Sequence, residues 1–148
     1  CWKAHSSSPC WRRFPRAGSG SGGSSPKLGL WNNALINATS LRSFADVRQD
    51  GAWWGRLVEN AVGASLLNGL QGPQWSVSYW RDGSSEVDFV VSHGNETWAL
   101  EVKSGRAGRQ SGLEAFRKLY PKARVWLIGP DGLTLEEFFS RPAVHWFQ

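Results

Sequence analysis

The sequence predicts an α/β domain in which helices flank a mixed β-sheet. Apolar residues recur at helical spacing between Trp53 and Leu70, and three short segments rich in β-branched and aromatic residues follow. A second helical pattern and a final apolar segment complete the order helix, three strands, helix, strand. This order is typical of a domain with one central sheet.

The first helix is predicted from Trp53 to Leu70, where the stretch from Asn68 to Gly72 supplies helix-ending residues. Its apolar positions are Leu57, Val58, Ala61, Val62, Ala64, Leu66 and Leu67. A run of this length and spacing predicts that one face of the helix packs against the core.

The three strands are predicted at Trp75–Trp80, Glu86–Val91 and Trp98–Lys103. The segments between them are short, polar and contain glycine, which predicts an antiparallel meander.

The rest of the sheet is predicted from the C-terminal third of the chain. Leu113–Tyr120 has a helical pattern that Pro121 stops, and Arg124–Ile128 has the composition of a strand. Because a helix connects this strand to the previous one, we expect it to join the sheet parallel to a neighbour.

Residues 1–25 differ in composition from the rest of the chain. They are rich in Ser, Gly, Arg and Pro, which predicts a disordered tail or linker, and residues 26–148 are predicted to form the folded domain. The chain contains no Met, even at position 1, so we expect it to be the end of a longer protein. No apolar run is long enough to cross a membrane and no secretory signal is evident, which predicts a cytoplasmic location.

The net charge of +5 is unevenly distributed. Residues 1–25 carry four basic residues and no acid, which leaves 13 basic and 12 acidic residues in the rest of the chain. Basic residues nevertheless cluster beside the single acid Glu114, at Lys103, Arg106, Arg109, Arg117, Lys118, Lys122 and Arg124. The cluster fits a phosphate-binding surface or an ordinary solvated helix face.

Four residues are candidates for chemistry. Glu101 and Lys103 are two apart on a strand and therefore point to the same side. Asp88 is expected opposite an apolar face formed by Val87, Phe89 and Val91, where the hairpin can bring it beside Glu101. Glu59 lies between Val58 and Val62, where a carboxylate is costly unless it meets a cation or a donor. Each residue alone also fits a solvated strand, turn or helix surface.

The ordered set of helix acid, strand acid and acid-x-Lys resembles the PD-(D/E)xK nuclease superfamily. The restriction-endonuclease-like core of that superfamily has the element order helix, three-stranded meander, helix, strand. The chain further resembles the C-terminal domain of unknown function of prokaryotic AAA-type P-loop ATPases. The segments that carry this likeness are Ser24–Leu28, Gly55–Val62, Tyr79–Arg81, Glu86–Val90, Glu101–Gly105 and Ala115–Phe116. The P-loop itself is absent from the chain, and Glu86-Val87 replaces the superfamily's proline before the strand acid.

The resemblance implies a DNA endonuclease-like phosphodiesterase that depends on Mg²⁺ or Mn²⁺ and belongs to a larger ATPase. Glu59, Asp88, Glu101 and the Val102 carbonyl would bind the metal, and Lys103 would orient the attacking water. Arg106, Arg109, Arg117 and Lys118 would bind the DNA backbone. Two alternatives stay open: a catalytically silent interaction or DNA-binding domain that docks on the ATPase module, and a non-functional gene fragment.

Overall fold

The computed structural model describes residues 10–15, 27–28, 32, 34, 43–105 and 111–148 of the chain. The strands are β1 (Cys10–Arg13), β2 (Lys27–Leu28), β3 (Trp75–Asp82), β4 (Ser85–His93), β5 (Glu96–Val102) and β6 (Arg124–Ile128). The helices are α1 (Phe44–Gln49), α2 (Gly51–Gly69), α3 (Ser111–Leu119) and α4 (Leu135–Phe139), followed by a 3-10 helix at Ala143–Phe147. The predicted α/β class is confirmed.

The sheet is mixed and has the strand order β1-β3-β4-β5-β6, with the short β2 paired to the outer edge of β1. Strands β3, β4 and β5 form an antiparallel meander. Strand β6 pairs parallel with β5 after the α3 crossover, and β1 pairs parallel with β3. The predicted meander and the predicted parallel last strand are therefore both confirmed.

Two tight hairpins set the register of the meander. Each has a two-residue loop that begins with a glycine of positive φ, Gly83 at +59° and Gly94 at +56°. A glycine at this position adopts the left-handed conformation without steric cost and matches the twist of the flanking strands. The short loops place the residues that flank them directly opposite each other, Asp82 with Ser85 and His93 with Glu96.

One core cluster fills the side of the sheet that α2 covers. Val58, Val62 and Leu66 of α2 pack with Phe89 of β4 and Leu100 of β5. The C-terminal elements close this layer through the buried residues Phe138, Ala143 and Phe147. The predicted apolar face of the first helix thus contacts the sheet.

A second core cluster lies on the other side of the sheet, beneath α3. Leu113 and Phe116 of α3 pack with Trp80, Val90 and Ala99 of the three central strands. The sheet is consequently buried on both sides.

Strand β4 contains a bulge that changes the direction of its side chains. Ser78 pairs with Val90 but Trp80 pairs with Val87, so β4 has one residue more than β3 in this interval. Phe89 consequently joins the α2-side core, whereas Val87 joins the α3-side core. The prediction of one apolar face containing Val87 and Phe89 is wrong, because it assumed regular alternation.

The structure also differs from expectation at residues 10–15, within the segment that composition assigned to a disordered tail. Arg12 and Arg13 pair with β3, and the Phe14 N–H donates to the Tyr79 carbonyl at 2.7 Å. The Phe14 ring lies 5.7 Å from the ring of Phe116. An aromatic anchor and a free sheet edge therefore order a stretch whose average composition is polar. The domain boundary at residue 25 stays a prediction.

Short helices were not anticipated at either end of the domain. Helix α1 begins with a capping box in which Ser43 and Asp46 satisfy each other's backbone N–H groups. Helix α4 is capped by Thr134, whose hydroxyl accepts from the Glu137 N–H at 3.2 Å. Across the described ranges, none of the helices has the length and apolar character needed to cross a bilayer.

Candidate functional site

A polar cavity of about 450 Å³ opens where β4 and β5 emerge from the core, beside the first turn of α3. Its lining combines acidic, basic and hydroxyl side chains from α2, the β3–β4 hairpin, β4, β5 and α3. The lining residues are Glu59, Ser84, Glu86, Asp88, Glu101, Lys103, Ser111 and Gly112. All four residues singled out for chemistry from the sequence therefore face one cavity.

Asp88 reaches the cavity from the bulged part of β4. Regular pairing between β4 and β5 stops at Phe89 and Leu100, and Asp88 is the adjacent residue of β4 outside that pairing. The Val102 N–H then donates to Oδ2 of Asp88 at 2.8 Å. The carboxylate thus joins two strands, and the bulge brings it beside the end of β5.

Glu101 is the most buried charged residue in the cavity, with 7% of its surface exposed. Its Oε1 lies 2.7 Å from Nζ of Lys103. Its Oε2 is buried and has no hydrogen-bond partner among the residues that the structure describes. Burying a carboxylate oxygen without a hydrogen-bond donor costs free energy. A cation or a water molecule bound to this oxygen would therefore stabilise the site.

Lys103 follows β5 and lies on the same side of the strand as Glu101, as strand alternation predicts. The hydrogen bond from Lys103 to Glu101 raises the lysine pKa above its usual value, and partial burial opposes that rise. The charges of Glu101, Asp88 and Glu59 raise the pKa further. Lys103 is therefore protonated at neutral pH, and its ammonium group is attracted by all three carboxylates.

Glu59 comes from α2, which packs on the side of the sheet opposite α3. It is half-buried and follows Val58, which anchors this part of the helix in the core. Its charge acts on Lys103, as the raised pKa of the lysine reflects. The helix therefore brings a third carboxylate to the pair formed by the strands.

The donor set suits a hard divalent cation in its chemistry. Carboxylate oxygens are the ligands that Mg²⁺ and Mn²⁺ prefer, and Oε2 of Glu101 is a buried oxygen that needs a positive partner. Within the described residues, however, no three Asp, Glu, His or Cys side chains gather closely enough to hold a metal. The backbone of Val102 is bonded through its N–H to Asp88, and its carbonyl stays a predicted ligand.

Glu86 also lines the cavity and was missed as a site residue in the sequence. It pairs with Arg81 across the β3–β4 hairpin, where Nη2 of Arg81 lies 2.6 Å from Oε2 of Glu86. Ser84, in the loop of the same hairpin, contributes another part of the wall. The two-residue loop at Gly83 was the available signal, because it places Arg81 and Glu86 opposite each other.

The basic residues predicted to bind DNA are only partly described. Arg117 and Lys118 lie on α3 and are exposed, on the side of the sheet where α3 covers the core. Arg106 and Arg109 lie outside the described residues, so the structure is silent on them. The two of these four residues that are described, Arg117 and Lys118, therefore face solvent.

Comparison with known proteins gives one match. The family described as a domain of unknown function, DUF4143, matches residues 54–134, a span that contains Glu59, Asp88, Glu101 and Lys103. No curated protein and no solved structure shows significant similarity to the chain. Because the match covers more than half of the sequence, the chain belongs to the DUF4143 family of domains.

Proposed function

We propose that this domain is a Mg²⁺- or Mn²⁺-dependent phosphodiesterase of the PD-(D/E)xK nuclease type that acts on DNA. We further propose that it is carried by a larger protein with an AAA-type ATPase module. The observation that supports the activity is the buried Oε2 of Glu101, which has no hydrogen-bond partner among the described residues, in a cavity shared with Asp88, Glu59 and Lys103. The restriction-endonuclease-like topology is part of the same proposal.

Asp88 and Glu101 would hold the cation, with Glu59 and the Val102 carbonyl completing its surroundings. When bound, the cation would supply Lewis-acid stabilisation of the negative charge that builds on the phosphate. The bulge in β4 and the hydrogen bond from Val102 fix the Asp88 carboxylate beside β5. Glu101 is 7% exposed, so burial restricts the movement of its side chain.

Lys103 would hold the attacking water through its ammonium group and stabilise negative charge on the phosphate oxygens. Its side chain is 35% exposed, so Nζ reaches both Glu101 and a substrate at the cavity mouth. Because its pKa is raised, Lys103 enters the reaction protonated and acts as a donor. The exposed side chains of Arg117 and Lys118 would bind the DNA backbone without reading sequence.

A plasmid-nicking assay tests this function, with Mg²⁺ and Mn²⁺ added separately. We expect Glu101→Gln and Lys103→Gln each to reduce nicking by about 100-fold or more, the size of effect seen when a charge-stabilising group is removed. Glu96→Gln is the matched control, because Glu96 lies at the other end of β5 and is about half exposed. Nicking that is absent from the wild type, or equal in wild type and Glu101→Gln, contradicts the proposal.

The second candidate is a catalytically silent domain that docks on an ATPase module or on DNA. Two observations favour it: Asp88 bonds the β5 backbone, and Lys103 already neutralises Glu101. In such a domain the acids serve the structure, and Glu101→Gln would leave DNA affinity unchanged. The two candidates separate on metal-dependent nicking, which only the nuclease shows.

A further inference from the structure

Strand β6 is the last strand of the sheet, and its outer edge pairs with no further strand among the described residues. In parallel pairing only alternate residues of a strand bond the neighbour, and the Ile128 carbonyl accepts from the Lys103 N–H at 2.8 Å on the β5 side. The backbone groups of Val125 and Leu127 therefore point away from β5. The Leu127 carbonyl agrees with this direction, because it accepts from the Leu133 N–H at 2.9 Å outside the strand.

Three backbone groups on this edge have no hydrogen-bond partner among the described residues: the N–H and the carbonyl of Val125, and the N–H of Leu127. Beside them lies an apolar groove of about 320 Å³, whose walls include Trp126, Leu133 and Trp146. The strand has no proline, no lysine and no bulge, features that commonly protect an edge from pairing. The edge is therefore suited to pairing with another strand.

We propose that this edge is a dimer interface, in which the β6 strands of two copies of the chain pair antiparallel about a two-fold axis at Val125. Val125 has both its donor and its acceptor on the edge, so two copies can exchange two hydrogen bonds through this one residue. The sheet is then continuous through both copies. This assembly is independent of the proposed activity.

The side chains next to Val125 are complementary in this register. Arg124 of one copy lies opposite Trp126 of the other, and the same contact repeats across the axis. The Arg124 guanidinium lies 5.7 Å from the Trp98 ring and 3.3 Å from Glu96, which holds it on the side of the sheet to which Trp126 also points. A cation beside an aromatic ring stabilises a pair of strands.

The charges at the two ends of the edge are also complementary. Lys122 precedes β6, and Asp131 lies in the loop that folds back on the end of β6; both residues are exposed. Antiparallel pairing brings the start of one β6 beside the end of the other, so Lys122 of each copy approaches Asp131 of the second copy. The loop limits the pairing to the first residues of β6, and so short an interface predicts a weak dimer.

Sedimentation equilibrium of the full chain, from about 1 µM to about 500 µM, tests the proposal. We expect a monomer–dimer equilibrium with a dissociation constant of roughly 10–100 µM, as for other small interfaces. Amide hydrogen exchange followed by NMR locates the interface. At about ten times the dissociation constant, the Val125 N–H should exchange about fivefold more slowly than in dilute solution.

Val125→Pro removes the outward N–H, which the monomer does not use, and should weaken the dimer by about 10-fold or more. Arg124→Gln removes the cation opposite Trp126 and should weaken it by about fivefold. This second variant keeps the test decisive if the proline variant folds poorly. Arg48→Gln is the matched control, because Arg48 is also exposed and lies 5.8 Å from the Trp54 ring, on α1. It should leave the dissociation constant unchanged.

Three outcomes overturn the proposal. The first is a chain that is monomeric over the whole concentration range. The second is a dimer that Val125→Pro and Arg124→Gln do not weaken and in which the Val125 N–H is unprotected, because such a dimer forms through another surface. The third is a monomer whose Val125 N–H is protected by an added peptide with the β6 sequence, because the edge then accepts a free strand but not a second copy.

Discussion

Asp88 accepts a hydrogen bond from the backbone N–H of Val102 at 2.8 Å, and this bond joins β4 to β5 at the mouth of the acidic cavity. The Asp88 side chain therefore has two roles: it holds β4 and β5 together, and it is proposed to bind the metal. The two are separable, because an amide oxygen can accept the same hydrogen bond without carrying the charge.

We predict that Asp88→Asn unfolds with a free energy within about 1 kcal/mol of the wild type, whereas Asp88→Ala loses about 1–3 kcal/mol. The alanine variant leaves the N–H of Val102, a residue that is buried, without an acceptor. Urea denaturation of both variants measures the difference. Equal stability of the two would show that the Val102 bond contributes nothing to the fold.

A double-mutant cycle measures the pair formed by Glu101 and Lys103. We expect Lys103→Met to lower the unfolding free energy by about 1–3 kcal/mol, less than the 3–5 kcal/mol of fully buried pairs because Lys103 is partly exposed. Adding Glu101→Gln should restore most of the loss, since it removes the buried charge left behind.

The pair of Arg124 and Glu96 is the matched control for that cycle. Its atoms lie 3.3 Å apart and both side chains are more than half exposed. The coupling there should stay below about 0.5 kcal/mol, as for other surface pairs. A coupling at Glu101 and Lys103 no larger than this control value would show that the cavity pair is solvated.

The raised pKa of Lys103 gives a pH dependence of defined sign. The folded protein holds this proton more tightly than the unfolded chain, so the stabilisation is full below the usual lysine value of 10.5 and is lost as pH rises through the raised value. The stability difference between wild type and Lys103→Met should be constant from neutral pH to about pH 10 and shrink above it. A difference that disappears below about pH 9 would contradict the ion pair.

The candidate site was accessible from the sequence because it rests on local rules. Alternation along β5 places Glu101 and Lys103 on one side, and hairpins with two-residue loops bring neighbouring strands into contact. The bulge at Asp88 was not accessible, since nothing in the alternation of Val87, Phe89 and Val91 indicates an extra residue. Asp88 lines the cavity from the bulged part of β4, whereas the prediction placed it beside Glu101 by assuming regular alternation.

The sequence also did not reveal the pairing of strands that are far apart in the chain. Strand β1 is held by the ring of Phe14 and by a few backbone contacts to β3. The average composition of this polar stretch does not indicate a contact made by a single aromatic residue. Tyr120 adds to this contact through its hydroxyl, which donates to the Pro15 carbonyl at 2.6 Å. These contacts form with an edge strand that lies more than 60 residues away in the chain. Local sequence patterns do not indicate so distant a partner.

Gly112 fixes the position of α3 beside the cavity. A Cβ at this residue would overlap the Glu86 carbonyl oxygen and lie 2.9 Å from the Glu86 carbonyl carbon. We expect Gly112→Ala to lower the unfolding free energy by about 1–3 kcal/mol, because backbone atoms must move apart. Gly51→Ala is the matched control in open space at the start of α2, and should be neutral or stabilising by less than about 1 kcal/mol. If Gly112→Ala and Gly51→Ala changed the unfolding free energy equally, α3 would lie farther from β4 than the structure shows.

The exposed basic residues of α3 predict how DNA binding depends on salt. Arg117→Gln combined with Lys118→Gln should weaken binding to unrelated DNA sequences equally, because phosphate contacts carry no sequence information. If both side chains contact phosphates, the slope of log affinity against log salt should become shallower by about 2. Fluorescence anisotropy over a range of salt concentrations measures this slope.

The matched control removes the same charge from the other side of the sheet. Arg48 on α1 and Arg141, between α4 and the 3-10 helix, are exposed and lie outside α3, so Arg48→Gln with Arg141→Gln should leave the slope unchanged. Equal loss of affinity in the two double variants would indicate a response to net charge alone. A slope that only the α3 variant changes would locate the DNA backbone at the last turn of α3.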